Sequence, residues 1–202
     1  MTTASTSSFD ASACRTRVMP PIDIRKWAEE HRDQLKPPVG NKYLYDGDGF
    51  FVMVIGGPNA RNDFHVTDSE EYFYQLEGDI VVQIYQDGRI VNVPVREGET
   101  FFIPGGVPHG PTRPPGTIGV VVELRRPPGE TEHQQFYCPE CHALVHDNEF
   151  DCADIVEHFA KAMEEFWADP ERSTCKQCGH RIEKPTPVKK ITFEPEVVIE
   201  RE

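Results

Sequence analysis

The stretch from Lys42 to Leu124 alternates short apolar segments with tight turns that contain glycine. The turns are Glu77-Gly78-Asp79, Gln86-Asp87-Gly88, Glu97-Gly98-Glu99 and Pro104-Gly105-Gly106. The apolar segments of strand length are residues 50–55, 72–76, 80–85, 90–95, 101–103 and 118–124. Many short strands joined by such turns are typical of an antiparallel sandwich or barrel. The sequence therefore predicts an all-β-dominated fold, and the scarcity of helical periodicity here disfavours a parallel sheet.

Composition changes on both sides of this stretch and divides the chain. A polar start is followed by a segment with helical character, residues 22–34, which Pro37-Pro38 ends. On the far side Pro127-Pro128-Gly129 marks a boundary, and apolar residues at helical spacing predict an amphipathic helix over 155–167. The predicted regions are a disordered tail (1–20), a β-domain (21–130), a small cysteine-containing region with one helix (131–183) and an extended C-terminal arm with a strand-like end (184–202).

Net charge and the distribution of apolar residues indicate the compartment and the kinds of partner to expect. The 202-residue chain carries a formal net charge of −13, which argues against binding along a nucleic-acid backbone. It has no apolar run long enough to span a bilayer, and its polar start lacks the apolar core of a secretory signal. We therefore expect a cytoplasmic protein with neither a membrane nor a nucleic-acid partner.

Four of the six cysteines form two CxxC pairs, Cys138 with Cys141 and Cys175 with Cys178. In a reducing compartment such pairs indicate metal binding rather than disulfides. Four thiolates would close a tetrahedral site for iron or zinc, with no position left for a substrate. The pattern leaves a structural and an electron-transfer role open. Outside the pairs, Cys14 and Cys152 are interpreted as ordinary free thiols.

A second ligand set consists of His65, Glu71 and His109. Glu71 opens a predicted strand in which it shares one face with Phe73 and Gln75, so its carboxylate is expected to point into the barrel. A carboxylate in such a place is costly unless it is paired or bound to a cation. Two imidazoles and one carboxylate leave coordination positions open, which suits non-haem Fe(II) holding an organic substrate together with O₂.

The spacing around these residues resembles the cupin superfamily. Gly98-x5-Pro104-x-Gly106-x2-His109 matches the second cupin motif, and His65…Glu71-x6-Gly78 matches the first with one of its usual histidines absent. The resemblance covers about residues 40 to 125 and implies a double-stranded β-helix, or jelly-roll barrel, for the catalytic domain. That fold hosts isomerases, dioxygenases and storage proteins, so it does not by itself define the function.

The local sequence is more specific than the fold. It runs Gly57-Pro-Asn-Ala-Arg61-Asn-Asp-Phe-His65, then Glu70-Glu71-Tyr-Phe-Tyr-Gln-Leu-Glu-Gly78-Asp79, and later Pro108-His109-Gly-Pro-Thr-Arg113 and Val122-Glu123-Leu-Arg125. Together with the cysteine pairs, it resembles the 3-hydroxyanthranilate 3,4-dioxygenase family, in the form that carries a rubredoxin-like second metal site. The resemblance extends from about Ile22 to His180, which is most of the chain.

This resemblance implies Fe(II) at His65, Glu71 and His109, iron or zinc at the four cysteines, and no organic cofactor. It implies extradiol opening of 3-hydroxyanthranilate by O₂ to 2-amino-3-carboxymuconate semialdehyde, and a homodimer. Arg61, Arg113 and Glu123 are the substrate-contacting residues by this resemblance. A guanidinium fork suits the substrate carboxylate, and Glu123 is expected to face the cavity as a proton or hydrogen-bond acceptor.

Two other functions are compatible with part of the pattern. A different cupin enzyme, such as a sugar isomerase or another dioxygenase, would share the ligand set but not Arg61, Arg113 and Glu123 around it. A non-enzymatic regulator would use the cysteine region to bind nucleic acid or protein, which the acidic charge disfavours. The sequence also leaves open whether the pathway makes NAD from tryptophan or degrades an aromatic acid.

Overall fold

The computed structural model describes residues 18–37, 40–127, 129–150 and 155–202, with backbone only for 155–157. Most of the predicted tail, and both Cys14 and Cys152, lie outside the described residues. The helices are α1 (Ile24–His31), a 3₁₀ turn (Arg32–Gln34), α2 (Ile155–Ala168) and α3 (Pro170–Ser173). The strands are β1 (Gly40–Asp46), β2 (Phe50–Gly56), β3 (Phe64–Val66), β4 (Glu71–Glu77), β5 (Ile80–Gln86), β6 (Arg89–Val95), β7 (Thr100–Ile103), β8 (His109–Thr112), β9 (Ile118–Leu124), β10 (Glu132–Tyr137), β11 (Leu144–Phe150), β12 (Val188–Thr192) and β13 (Val198–Arg201).

Two antiparallel sheets form the barrel. The five-stranded sheet has the order β1-β2-β9-β4-β7, and the six-stranded sheet has the order β11-β10-β3-β8-β5-β6. Buried side chains from both sheets pack together between them, among them Met53 of β2, Phe73 of β4 and Val82 of β5. The predicted all-β-dominated class, built from antiparallel sheets, is confirmed. None of the helices in the described parts of the chain is both long and apolar enough to cross a membrane.

The predicted N-terminal helix is shorter than its apolar pattern indicates. Helix α1 begins after Asp23, whose side chain accepts a hydrogen bond from the Lys26 amide at 3.1 Å. It tightens into the 3₁₀ turn before the prolines, where a regular helix could not continue. Ala28 and Leu35 are buried against the outer face of the five-stranded sheet. The helix thus covers part of that face.

Gly78 and Gly98 form tight turns, as the sequence predicts. Gly78 and Gly98 have φ values of 66° and 85°, a region that costs a side chain steric strain. The Gly78 amide donates to the Glu97 carboxylate at 2.7 Å, which links the two turns. Strand β4, which begins with Glu71, is therefore held in a defined register.

Several strands escaped prediction because pairing partners, rather than local sequence, create them. β3 has three residues, and β8 reads His-Gly-Pro-Thr, which has little strand preference of its own. β10 is polar (EHQQFY), yet it pairs with β3 and so extends the six-stranded barrel sheet. The region predicted from residue 131 onwards therefore shares a sheet with the barrel, and the division at 130 stays a prediction.

The C-terminal residues form a hairpin rather than a single extended segment. β12 pairs antiparallel with β13, one strand more than the sequence indicates. Val188 and Ile191 are buried against Val81 of the barrel. In the cysteine region, α2 lies where it was predicted, and Phe166 of this helix stacks on Phe136 of β10. The short α3, which was not predicted, begins at Pro170 under an Asp169 cap.

Candidate active site and metal centres

The structure brings the three residues of the open ligand set together inside the barrel. His65 of β3 and His109 of β8 are direct partners across the six-stranded sheet, and Glu71 faces them from the five-stranded sheet. All three are buried, and one ligand atom from each lies within 4.8 Å of the others. Only a short turn separates β3 from β4, so His65 and Glu71 are close in sequence but lie in opposite sheets of the barrel.

The atom positions fit a metal ion. His65 Nδ1 lies 3.0 Å from Glu71 Oε1, and His109 Nε2 lies 3.3 Å from Glu71 Oε2. Glu71 Oε1 is buried without a hydrogen-bond partner, although it faces a ring nitrogen. Two atoms bound to one metal at about 2.1 Å and at right angles would lie about 3.0 Å apart. An orphaned carboxylate oxygen beside an imidazole nitrogen is thus explained by a cation between them.

The charges at this site are strongly coupled. Burial opposes ionisation of Glu71, but the imidazoles of His109 and His65 outweigh it and hold its pKa well below the usual range. Burial likewise opposes a charge on His65, yet Glu71 and Glu132 raise its pKa to about 10. Both shifts have one cause, which is that the buried carboxylates and imidazoles lie close enough to stabilise opposite charges on each other. The carboxylate-rich surroundings therefore favour cation binding.

Each histidine of the ligand set makes a further contact through its other ring nitrogen, and this contact orients the ring. His109 Nδ1 lies 2.9 Å from the Val107 carbonyl, and His65 Nε2 lies 2.6 Å from Glu132 Oε2. Such outer contacts commonly orient metal-binding histidines. Glu132 was missed by sequence reasoning, because it lies in a polar segment that was assigned to the cysteine region. The only signal that could have found it is the burial that β10 acquires by pairing with β3.

A cavity opens beside the ligand set. Its walls combine the three ligand residues with apolar side chains and a few polar groups; the residues other than the ligand set are Asn41, Met53, Ile55, Arg61, Phe73, Pro111, Val121, Glu123 and Phe159. Phe159 comes from α2, and its ring meets the His65 imidazole edge-on at 5.0 Å. The helix of the cysteine region therefore closes part of the cavity, which no sequence pattern indicated.

Arg61 lies in the cavity wall with a fixed orientation. Its Nε and Nη2 donate to the two Asp63 oxygens at 2.8 and 2.7 Å. Burial opposes ionisation of Asp63, and the Arg61 charge overrides it and lowers the pKa of that carboxyl. Gln134 donates to the same carboxylate at 2.9 Å. The Asp63 carboxylate therefore orients the Arg61 guanidinium, and Gln134 of β10 in turn binds that carboxylate.

Glu123 faces Glu71 directly across the β4–β9 pair. Its Oε2 accepts a hydrogen bond from Arg126 Nη2 at 2.7 Å. Burial and the Glu71 charge raise the pKa of Glu123 to about 7, against the lowering effect of His65 and Arg126. A carboxyl group with this pKa can both accept and release a proton near neutral pH.

Arg113, which the resemblance implies as a substrate contact, is deeply buried. It is 1% exposed and does not line the cavity; its Nη1 donates to Gln75 Oε1 at 3.1 Å. Its Nε has no hydrogen-bond partner, and burial together with the Arg61 charge lowers its pKa to about 9. Of the three residues expected to contact substrate, Arg61 and Glu123 therefore reach the cavity, while Arg113 lies behind its wall.

The four cysteines form the second cluster. Cys138 Sγ lies 3.5 Å from Cys178 Sγ, and Cys141 Sγ lies 3.6 Å from Cys175 Sγ. These separations are too long for disulfides and close to the edge of about 3.8 Å in a tetrahedral site with metal–sulfur bonds of about 2.3 Å. Each pair is followed by a residue at positive φ, where the chain turns around the sulfurs: His142 at 60° and Gly179 at 79°. The residues fit a four-thiolate metal.

Comparison with solved structures finds partial likenesses over about half of this chain. A cupin-2 domain-containing protein from Shewanella frigidimarina is 21% identical, with a TM-score of 0.36, covering 43% of this chain and 80% of that one. The polyketide cyclase RemF from Streptomyces resistomycificus is 28% identical, with a TM-score of 0.37, covering 46% and 72%.

Sequence relatives are closer. Proteins named 3-hydroxyanthranilate 3,4-dioxygenase are 42% identical in Xanthomonas euvesicatoria, over 88% of this chain and 99% of that protein, and 43% identical in Candida albicans, over 79% and 92%. The family model for 3-hydroxyanthranilic acid dioxygenase matches residues 17–167. The chain therefore belongs to the 3-hydroxyanthranilic acid dioxygenase family and is an enzyme of that family.

Proposed function

We propose that this chain is an Fe(II)-dependent, extradiol-type dioxygenase that converts 3-hydroxyanthranilate and O₂ to 2-amino-3-carboxymuconate semialdehyde. The observation that carries the proposal is the shared cavity: an open set of two histidines and one glutamate lies beside Arg61 and Glu123. The relatives' names supply the substrate class. The step serves tryptophan catabolism through the kynurenine pathway, towards NAD or towards degradation, and needs no organic cofactor.

His65, Glu71 and His109 would hold the iron, and all three side chains line the cavity. When bound, Fe(II) supplies the positions on which an aminophenol and O₂ react together. The apolar walls formed by Met53 and Val121 exclude water from the aromatic ring. The protein therefore contributes chiefly by positioning the reactants.

Arg61 would bind the substrate carboxylate, since its guanidinium faces the cavity and is held in orientation by Asp63. Arg113 is proposed as a second cation for the same anion. Its Nε has no hydrogen-bond partner, and a side-chain rotation would be needed to bring it through the cavity wall. Glu123 would accept the phenolic proton, because its pKa of about 7 matches that task.

Cys138, Cys141, Cys175 and Cys178 are proposed to hold iron or zinc in a structural role. Ring cleavage returns no net electrons to the protein, so the reaction needs no electron carrier there. A cytoplasmic location would keep the four thiols reduced. We further propose a homodimer, since the outer face of the five-stranded sheet exposes several large apolar side chains: Phe50, Tyr72, Phe102 and Leu124.

The test is anaerobic reconstitution with Fe(II), followed by 3-hydroxyanthranilate and air. We expect oxygen uptake and the absorbance of a muconate semialdehyde. Glu71→Gln should reduce turnover at least about 100-fold through loss of a metal ligand, whereas Glu70→Gln, an exposed neighbour, should match the wild type. Absence of oxygen uptake by fully iron-loaded protein would overturn the proposal.

A further inference from the structure

We propose that Glu132 and Arg126 form a positioning pair that joins the metal ligand His65 to the substrate-side carboxylate Glu123. This inference rests on the proposed function, and it concerns how the two halves of the site are held in one geometry. The pair acts through these neighbours and touches neither metal nor substrate itself. Neither Glu132 nor Arg126 belongs to the motifs by which the sequence resembles its family.

The first step is the unusual burial of Glu132. It is 2% exposed, and both of its oxygens lie in close contacts. Oε2 is 2.6 Å from His65 Nε2, and Oε1 is 2.6 Å from Arg126 Nε, a contact that is an ion pair without hydrogen-bond geometry. A carboxylate this deep is costly unless it is paired, and here it has a partner on each side. A merely solvated strand residue would not account for that arrangement.

The second step concerns the imidazole of His65. With Nε2 directed at a carboxylate, the neutral ring carries its proton on Nε2 and leaves the Nδ1 lone pair free. Nδ1 is the atom that faces Glu71 Oε1 at 3.0 Å. Glu132 therefore selects the tautomer that presents a lone pair to the metal, and the contact also fixes the orientation of the ring.

The third step extends the chain of contacts to the substrate side. Arg126 Nη2 donates to Glu123 Oε2 at 2.7 Å, so one guanidinium contacts both carboxylates. Three buried carboxylates, Glu71, Glu123 and Glu132, converge on this part of the barrel. A cation shared by two of them reduces their mutual repulsion and fixes their separation. The geometry thus links His65, Glu132, Arg126 and Glu123 in one continuous path.

The experiment uses Glu132→Gln in the full chain, with the exposed Glu149→Gln on the neighbouring strand as its matched control. Binding of Zn²⁺ to the histidine–glutamate site is measured by competition, after the four-cysteine site has been filled. We expect Glu132→Gln to weaken this affinity about 10- to 100-fold and Glu149→Gln to leave it unchanged. Equal affinities in the two variants would overturn the proposal.

A second readout separates positioning from simple loss of fold. In Zn²⁺-loaded protein labelled with ¹⁵N-histidine, wild-type His65 should show a proton on Nε2 with a strongly low-field resonance. Glu132→Gln should move that resonance upfield while the melting temperature stays close to that of Glu149→Gln. If Glu132→Gln does not fold, Glu132→Asp is measured in its place. An unshifted resonance in the folded variant contradicts the proposal even if catalysis is lost for another reason.

The Arg126 half of the pair has its own variant. Arg126→Gln should lower kcat about tenfold and change KM much less, because the substrate cation Arg61 is untouched. Arg125→Gln is the matched control, since Arg125 pairs with Asp46 at the surface. Both variants use iron-loaded enzyme, and Zn²⁺ affinity is recorded alongside. Wild-type kcat in Arg126→Gln would remove Arg126 from the proposal, whereas failure of the wild type itself to turn over would refute the proposed function instead.

Discussion

At the scale of single residues, Asp63 fixes the orientation of Arg61. Arg61 faces the cavity, but a guanidinium on a flexible stem loses much entropy when it binds an anion. The two hydrogen bonds that Asp63 accepts from Arg61, at 2.8 and 2.7 Å, hold the fork in place before substrate arrives. Gln134 and the buried position of Asp63 add to that rigidity. Asp63 is therefore expected to act on binding rather than on the chemical step.

Asp63→Asn should raise KM for 3-hydroxyanthranilate about tenfold, equivalent to about 1.4 kcal/mol of binding free energy, and leave kcat within about twofold. The physical reason is that a neutral amide offers Arg61 one acceptor in place of two charged ones. Steady-state kinetics on the iron-loaded enzyme measure both constants. Asp68→Asn, an exposed aspartate in the same segment, is the control. A KM equal to that of the control would show that Arg61 needs no such support.

At the scale of elements, the barrel is held to its attachments by a few aromatic and aliphatic contacts. Tyr85 of β5 stacks on Tyr137 of β10 with ring centroids 3.8 Å apart, and Ile191 of β12 is buried against the barrel. β10 leads directly into Cys138, so the tyrosine stack joins the barrel to the cysteine region. Each of these contacts makes a separate prediction about stability.

Tyr137 should make the protein lose stability at high pH. Burial and the neighbouring Tyr85 raise its pKa from the ordinary 10.0 to about 12. Between these values the unfolded chain releases the phenolic proton and the folded chain retains it, so the free energy of unfolding falls as pH rises. Urea titrations at pH 9, 10 and 11 should show a smaller decline for Tyr137→Phe than for wild type. Parallel declines would contradict a buried, protonated phenol.

The C-terminal hairpin should contribute measurably to folding. Ile191→Ala is expected to lower the free energy of unfolding by about 2 kcal/mol, at the lower end for a buried isoleucine, because the site lies near the surface of the barrel. Lys190→Ala, the exposed neighbour on the same strand, should cost much less. Urea denaturation of both variants measures the difference. Equal losses would mean that β12 does not pack as described.

At the scale of the whole molecule, local sequence could predict what has a local signature. Gly78 and Gly98 mark turns, the spacing to His109 marks the open ligand set, and CxxC marks the thiolate site. Glu132 had no such signature, since its burial arises only when β10 pairs with β3. The position of Arg113 outside the cavity lining, and the contact of Phe159 with His65, likewise depend on how distant elements pack. Sequence patterns do not reveal contacts between residues that are far apart in the chain.

The cysteine region and the catalytic cavity are joined through one helix. Phe159 of α2 lines the cavity, and Met163, Phe166 and Trp167 of the same helix pack with Phe136 and Ile182. A metal at the four cysteines would fasten the chain on both sides of that helix. Its binding free energy would then contribute to folding of the whole C-terminal part.

Cys175→Ser should therefore lower the melting temperature by at least about 5 °C, and a shift of 5 °C corresponds to about 1 to 2.5 kcal/mol in a chain of this size. Turnover per bound catalytic iron should stay within about twofold below that transition, because none of the four cysteines of the thiolate site lines the cavity. Lys176→Ser, an exposed neighbour in the same turn, is the matched control. Melting is followed by circular dichroism, with iron quantified at each site. Unchanged melting together with abolished turnover would instead assign the thiolate site a direct part in the reaction.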